Sequence, residues 1–292
     1  MATTVVCWNI AMRHKAWRRL AEMDADVALL QEAGKPPADV AERVEIGPRE
    51  HWDSHVWNSE SWKGRWPYLY DRWAMVVKLS DRVDVEWFKQ VSPISVPAED
   101  EIAVSGIGTV AAARVRPRDG SKPFVAVSMY ARWLRPHETT NSKWTVGMPD
   151  GSAHRILSDL SAFIGDFDPK SHRILAAGDL NMTYNPAAAD PLAESARERT
   201  VFDRMTALGL EFLGPSYPNG RRAEPTPEWL PADTRNVPTY HTVARKPADA
   251  LSQFDYVFAS RGFHNEVTAR ALNTVEEWGP SDHCRLLIEV AG

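Results

Sequence analysis

Two cysteines in 292 residues are too few for a disulfide framework, and Cys7 and Cys284 have no metal-ligand spacing. That excludes a disulfide-stapled scaffold and a cysteine-based zinc module, and predicts two reduced thiols packed in a core. Long apolar runs are also missing, with nothing near the roughly 18 residues of a membrane span. Met1-Ala-Thr-Thr leads straight into Val5-Val-Cys-Trp-Asn-Ile10, without a basic segment, an apolar segment or a small-residue cleavage site. The expectation is a soluble cytoplasmic protein with no membrane partner, and no protein partner is evident. Positive charge is in deficit: 34 Lys and Arg face 39 Asp and Glu, for a net charge of -5. Such a balance excludes non-specific coating of nucleic acid but leaves room for a focused basic groove. Repeats and low-complexity tracts are absent.

What is present reads as one α/β domain over residues 1–292, with 43% hydrophobic and 25% charged residues. Thr3 to Ile10 is β-branched and apolar and predicts a first strand. His14 to Met23 sets Trp17, Leu20 and Ala21 on one helical face, and Val27 to Gln31 predicts a buried strand ending at Glu32. This β-α-β opening puts Asn9 and Glu32 at carboxyl ends of strands, where open α/β sheets bind ligands. Strand candidates follow at Trp73–Lys78, Val83–Val91, Thr109–Val115 and Phe124–Tyr130, several with no helix between them, which predicts antiparallel neighbours. Gly151 to Phe167 carries Ile156, Leu157, Leu160 and Ile164 at helical spacing, His172–Ala177 is a buried strand, and Ala193 to Leu208 is a further helix. Phe254–Phe258, Glu266–Leu272 and Cys284–Val290 predict three last strands, read as a second sheet mirroring the first half.

Two segments stand apart. Pro36 to Arg72 contains Trp52, Trp57, Trp62 and Trp66, aromatics that pack a long loop onto the domain or stack on bases. The loop from Ala131 to Trp144 mixes Arg132, Arg135, His137 and Lys143 with tryptophans and leaves a strand end, so Arg132 and Arg135 are candidates for phosphates flanking a scissile one.

The chemistry concentrates where apolar runs end. Leu175-Ala-Ala-Gly-Asp-Leu-Asn181 and Ser281-Asp-His-Cys284 each place a carboxylate beside a second polar group at a strand boundary, as Glu32 and Asp255 also do. Phosphodiesters resist hydrolysis because their anionic oxygens repel the nucleophile and the alkoxide leaves poorly. A divalent cation answers both, and a carboxylate or histidine positions and deprotonates water. Glu32, Asp179, Asp255 and Asp282 are oxygen donors suited to Mg²⁺ or Mn²⁺.

In order, Trp8-Asn9, Gln31-Glu32, Tyr130, Gly178-Asp-Leu-Asn181, Phe254-Asp-Tyr256 and Ser281-Asp-His283 resemble the endonuclease/exonuclease/phosphatase superfamily, which includes deoxyribonuclease I and exonuclease III-type enzymes. The resemblance implies a four-layer α/β sandwich, two packed β-sheets flanked by helices, with a cleft at one end. It also implies roles. Glu32 is similar to the main metal ligand, Asn9 to its metal-water or phosphate contact, and Asp282 to a carboxylate serving the metal directly or through water. His283 resembles the histidine on the scissile phosphate, oriented by Asp255. Asp179 resembles the water-activating or metal-linked carboxylate, and Asn181 an amide donor to phosphate. Tyr130, at a position the family fills with His or Tyr, resembles the exonuclease III-like branch.

Substrate is narrowed by departures. Leu175-Ala-Ala177 and Leu251-Ser-Gln-Phe-Asp-Tyr256 do not match the inositol-polyphosphate 5-phosphatase pattern, and Met182-Thr-Tyr-Asn-Pro186 departs from abasic-site endonucleases. The reading is a Mg²⁺- or Mn²⁺-dependent phosphodiester hydrolase, a nuclease on DNA or RNA first and an enzyme for a small soluble phosphate ester second.

Overall fold

The computed structural model describes residues 2–53, 72–132, 148–165, 171–185 and 194–292. Strand β1 (Thr3–Asn9) lies parallel to β2 (Val27–Ala33), joined by helix α1 (His14–Ala21), as the opening pattern predicts. Two short helices, α2 (Ala38–Ala41) and α3 (Arg49–Trp52), precede β3 (Trp73–Lys78). Then come β4 (Val83–Trp87), β5 (Lys89–Val91), β6 (Glu101–Ala103), β7 (Val110–Pro117) and β8 (Phe124–Tyr130). Helix α4 (Met148–Ile164) leads to β9 (Ile174–Asp179), α5 (Glu194–Ala207) to β10 (Leu210–Gly214), and β11 (Asp255–Ser260), β12 (Val267–Leu272) and β13 (Arg285–Val290) close the chain.

Five strands pair in the order β12-β13-β1-β2-β3 and six in the order β10-β11-β9-β8-β7-β4. The grouping of the last three strands into one sheet is therefore wrong. β11 pairs with β9 in the six-stranded sheet, whereas β12 and β13 extend the sheet that begins the chain. Periodicity identifies each strand, but pairing across some 280 residues is decided by which apolar faces meet.

Three apolar clusters define four layers. Between the sheets lie Val5, Cys7, Leu29, Val76, Ala126, Leu175, Val257 and Ile288, one inward face from each sheet. Both cysteines are buried here and free, as composition predicts. On the outer face of the five-stranded sheet, Val6, Trp8 and Met75 pack under Trp17, Leu20 and Val40 of α1 and α2. On the outer face of the other sheet, Val127, Met129, Tyr256 and Phe258 pack under Ile156, Leu157 and Leu160 of α4 and Val201, Phe202 and Met205 of α5. Strands covered on both faces read as near-continuous apolar runs, the reason β1, β2 and β9 are so legible in sequence. Trp52 packs at 4.5 Å against Trp73, which supports the packing role for that tryptophan; Trp57, Trp62 and Trp66 lie outside the described residues. No helix among the described residues is long and apolar enough to cross a membrane.

His51 ties the outer layer to the sheet and is fully buried. Its Nε2 accepts the Val76 backbone N–H at 3.1 Å, so Nδ1 carries the proton and faces the Phe88 carbonyl at 3.3 Å. Burial lowers its pKa from 6.5 to about 4. The unfolded chain takes up a proton through pH 6.5 while the folded one does not until about 4, so this contribution to stability is intact above 6.5 and is lost as pH falls. At pH 5 the loss is about 2 kcal/mol, at 1.36 kcal/mol per pKa unit. Urea unfolding of wild type and His51→Gln should show a stability gap that narrows by about that amount between pH 7.5 and 5. A gap independent of pH would show that His51 titrates normally.

Candidate active site

The site is assembled by strand register. Tyr130, the last residue of β8, pairs with Asp179, the last of β9, which pairs in turn with Asp255, the first of β11. Three functional groups thus sit side by side on one sheet edge. A Cβ on Gly178 would stand 1.8 Å from the Met129 carbonyl oxygen, so only glycine lets β8 and β9 approach closely just before Asp179. Beyond the strand, the Asn181 N–H donates to Asp179 Oδ1 at 2.8 Å, an Asx turn with Asn181 at φ 51 that holds the carboxylate from its own loop.

Glu32 arrives from the other sheet. Between Leu30 and Ala33 the pairing of β2 with β3 shifts register, and Glu32 takes φ 45. The bulge removes Glu32 from the alternation and turns its side chain to the end of the sandwich. Ala11, Met12, Glu32 and Asn181 are the non-glycine residues at positive φ among the described residues. All four border this edge, where the Met12 N–H donates to the Glu32 carbonyl at 2.9 Å. Strain of this kind collects at functional sites.

The Ser281-Asp282-His283 loop is fixed by buried donors. Trp8 Nε1 donates to the His283 carbonyl at 2.9 Å, Trp278 Nε1 to the Ser281 carbonyl at 3.1 Å, and Ser281 Oγ to the Asn9 carbonyl at 2.7 Å. Thr239, which sequence reasoning missed, completes the frame. Its Oγ1 accepts the N–H of Phe254 and Asp255 at 2.9 and 3.1 Å, and its carbonyl accepts the Cys284 N–H at 2.8 Å. No motif marks it, because its role depends on β11 and β13 being adjacent to one loop.

His283 Nδ1 lies 2.8 Å from Asp255 Oδ2, and its Nε2 faces Asp179 Oδ2 at 3.9 Å. All three are buried. Burial alone would lower the histidine, but Asp255 and Asp179 outweigh it and raise His283 to about 10. The two flanking carboxylates, Asp255 at Nδ1 and Asp179 beyond Nε2, favour its protonated form. Asp179 is raised to about 7 by burial, against the lowering pull of His283 and with the push of Asp255. Its Oδ2 accepts amide N–H groups from Asn9 at 2.9 Å and Asn181 at 3.0 Å.

Glu32 Oε1 accepts the Tyr130 hydroxyl at 2.8 Å and faces Asn9 Nδ2 at 3.5 Å, while Oε2 accepts Arg72 Nη1–H. Burial, with the Glu32 charge behind it, pushes the Tyr130 phenol well above its ordinary value, so it stays a donor. Asp282 is half-buried, with Oδ1 at 3.2 Å from Ser281 Oγ and 3.9 Å from Arg13 Nη2.

The expected site residues have these partners. Asn9 Oδ1 accepts the Ala11 N–H at 3.0 Å, and its amide nitrogen is turned to Asp179 at 2.9 Å and Glu32 at 3.5 Å. The Asn181 amide donates to Ala131 carbonyl at 2.9 Å and to Asp179, which directs it at its own loop and sheet edge. Arg132, expected on flanking phosphates, is buried: it lies over the Tyr130 ring at 5.4 Å and donates to the Arg72 carbonyl. The Arg132 side chain is directed inward just after β8, which no residue pattern announces. Arg135, His137 and Lys143 lie outside the described residues. Tyr240 and Phe254 form an unforeseen half-buried stacked pair at 5.1 Å, with the Tyr240 ring 4.9 Å from His283.

Among the described residues, one trio of metal-type donors has its atoms within 4.8 Å of one another: Asp179, Asp255 and His283. The donor set around it is oxygen-rich, and Asp255 Oδ1 is buried with no hydrogen-bond partner. A carboxylate oxygen left unsatisfied among several carboxylates fits a site for a hard divalent cation.

No curated protein matches the sequence significantly. Solved structures match the fold over the whole chain. The AP endonuclease of Leishmania major is 15% identical with a TM-score of 0.59, covering 100% of this chain and 88% of that one. The endonuclease domain of TRAS1, a telomere-specific non-LTR retrotransposon, is 15% identical at TM-score 0.58, covering 100% and 99%. A 3′ phosphatase from Neisseria bound to a product DNA hairpin is 15% identical at TM-score 0.59, covering 100% of each chain. The model of the endonuclease/exonuclease/phosphatase family matches residues 6–283, so this chain belongs to that family of phosphoester-hydrolysing enzymes.

Proposed function

We propose that the protein is a nuclease, cleaving phosphodiester bonds of DNA or RNA with Mg²⁺ or Mn²⁺ and an activated water. The observation that carries this reading is the buried trio in which Asp255 lies 2.8 Å from His283 Nδ1 and Asp179 faces His283 Nε2 at 3.9 Å. Burial raises the basicity of Asp179, which suits it to take a proton from water, and an Nε2–H on His283 would stabilise charge on a phosphate oxygen. Asp255 holds the ring in place through Nδ1 at 2.8 Å. Glu32 and Asp282 would hold the cation, which when bound neutralises the phosphate and stabilises the leaving alkoxide. Asn9 and Asn181 keep the Asp179 carboxylate aimed, and Tyr130 does the same for Glu32.

Nucleic acid is favoured because the three structures above are named for DNA-directed activities or a DNA product. The Tyr240–Phe254 pair beside His283 adds an aromatic surface for a base or sugar. The second reading, a small soluble phosphate ester, draws on one observation: Arg132 is buried rather than presented to a long anionic backbone. On the nuclease reading, flanking phosphates fall to Arg135 and its loop.

Hydrolysis of bis(p-nitrophenyl) phosphate should disappear with chelator and return with Mg²⁺ or Mn²⁺; full activity in excess chelator contradicts metal dependence. Asp179→Asn and His283→Ala should each lower kcat by at least about 100-fold with the fold intact, the scale of lost acid–base or electrostatic assistance. Glu32→Gln should raise the metal concentration needed for half-maximal activity. A panel of single- and double-stranded DNA, RNA, abasic DNA and simple esters tests the substrate. Turnover of a small ester with none on any nucleic acid refutes the nuclease reading.

A further inference from the structure

Arg72 belongs to no motif, yet its guanidinium stands on Glu32, a carboxylate that would hold the cation on the reading above. Nη1–H donates to Glu32 Oε2 while the Tyr130 hydroxyl occupies Oε1, so both oxygens of Glu32 are engaged. The backbone of residue 72 is clamped independently of that contact. Its carbonyl accepts from the buried Arg132, and the Ala74 N–H bonds the Gly108 carbonyl at 3.0 Å. Gly108 sits at φ 59, where a Cβ would come within 2.7 Å of the Arg72 carbonyl oxygen. What can move is the side chain, which is 37% exposed and opens to solvent. Its Nε is buried with no hydrogen-bond partner, so that N–H is uncommitted in the seated position and reaches an anion only when the side chain leaves Glu32. An arginine fork with an idle N–H beside a cluster of carboxylates is matched to an oxyanion, which accepts two parallel hydrogen bonds.

We propose that Arg72 is a further substrate-binding residue, seated on Glu32 in the metal-free enzyme and transferred to a non-bridging oxygen of the substrate phosphate when a divalent cation takes Glu32. The proposal rests on the cation-dependent phosphodiesterase reading above and adds an order to it: cation first, then phosphate. Four carboxylates, Glu32, Asp179, Asp255 and Asp282, frame the site and repel an anionic substrate until cationic groups face it. Seating Arg72 on Glu32 stabilises the carboxylate before the cation arrives, and the exchange frees that positive charge for the phosphate.

The test uses the full-length protein stripped of metal, with Mn²⁺ as probe cation and inorganic phosphate as probe anion. Calorimetric titration of Arg72→Gln should show Mn²⁺ bound about tenfold more tightly than by wild type, the scale of one charged hydrogen bond that no longer has to be broken. Phosphate binding to the Mn²⁺-loaded variant should weaken by about tenfold, for the same reason with the opposite sign. Loss of structure weakens both and cannot produce the crossed pattern. Arg72→Lys keeps the charge and loses the fork, so its phosphate affinity should still fall several-fold, and it carries the test if Arg72→Gln does not fold. Wild-type hydrolysis of bis(p-nitrophenyl) phosphate with Mn²⁺ is measured alongside: no metal-dependent turnover sinks the underlying reading. Active wild type with unchanged or weaker Mn²⁺ binding in Arg72→Gln, or with unchanged phosphate binding in either variant, overturns the role of Arg72.

Discussion

The buried contact between His283 and Asp255 is the constraint on which the rest of the site depends. A carboxylate taken out of water is stable only if paired, and His283 provides the pair at 2.8 Å while Asp179 waits on the other side of the ring. One histidine between two carboxylates leaves acidic groups in excess, and Glu32 and Asp282 enlarge the cluster. A folded protein keeps such a cluster only where something cationic or hydrogen-bonding compensates. Here the amides of Asn9 and Asn181, the phenol of Tyr130 and the guanidinium of Arg72 all do so, each directed at Asp179 or Glu32. The polar inventory of the site is therefore organised around its carboxylates, which also explains why the asparagine amides point to them.

Holding that arrangement costs backbone freedom. Left-handed conformations at Ala11, Met12, Glu32 and Asn181, residues with a Cβ, are tolerated because the sandwich around them is packed on both sides of both sheets. Trp8 and Trp278 contribute twice, as apolar mass in the layers and as N–H donors that pin the His283 loop. Stability and function meet in the same tryptophans.

Much of this was legible in the residues. Fully buried strands are continuous apolar runs, so β3 and β8 were bounded to the residue and β1, β2, β9 and β11 to within about two, the ordinary uncertainty of element ends. The ordered polar residues at their ends marked the edge where Asn9, Glu32, Tyr130, Asp179, Asp255 and His283 converge. Short strands were harder. β6 has three residues and β10 only five, interrupted by a bulge, so neither offers enough alternation to stand out. Thr239 and Arg72 were silent because a positioning hydroxyl and a seated guanidinium look like any loop residues until their partners are known.

By itself the sequence determined the long buried strands, the main helices and the set of carboxylates, asparagines, tyrosine and histidine available for phosphoester chemistry, since these follow from local periodicity and side-chain chemistry. Only the tertiary structure decided which sheet the last strands join, which way the Asn9 and Asn181 amides face, that Arg132 is inside and that Arg72 stands on Glu32. The physical reason is that pairing, burial and protonation are set by neighbours distant in the chain: the pKa of Asp179 and His283 depends on Asp255 and on the exclusion of water, neither of which any stretch of residues carries alone.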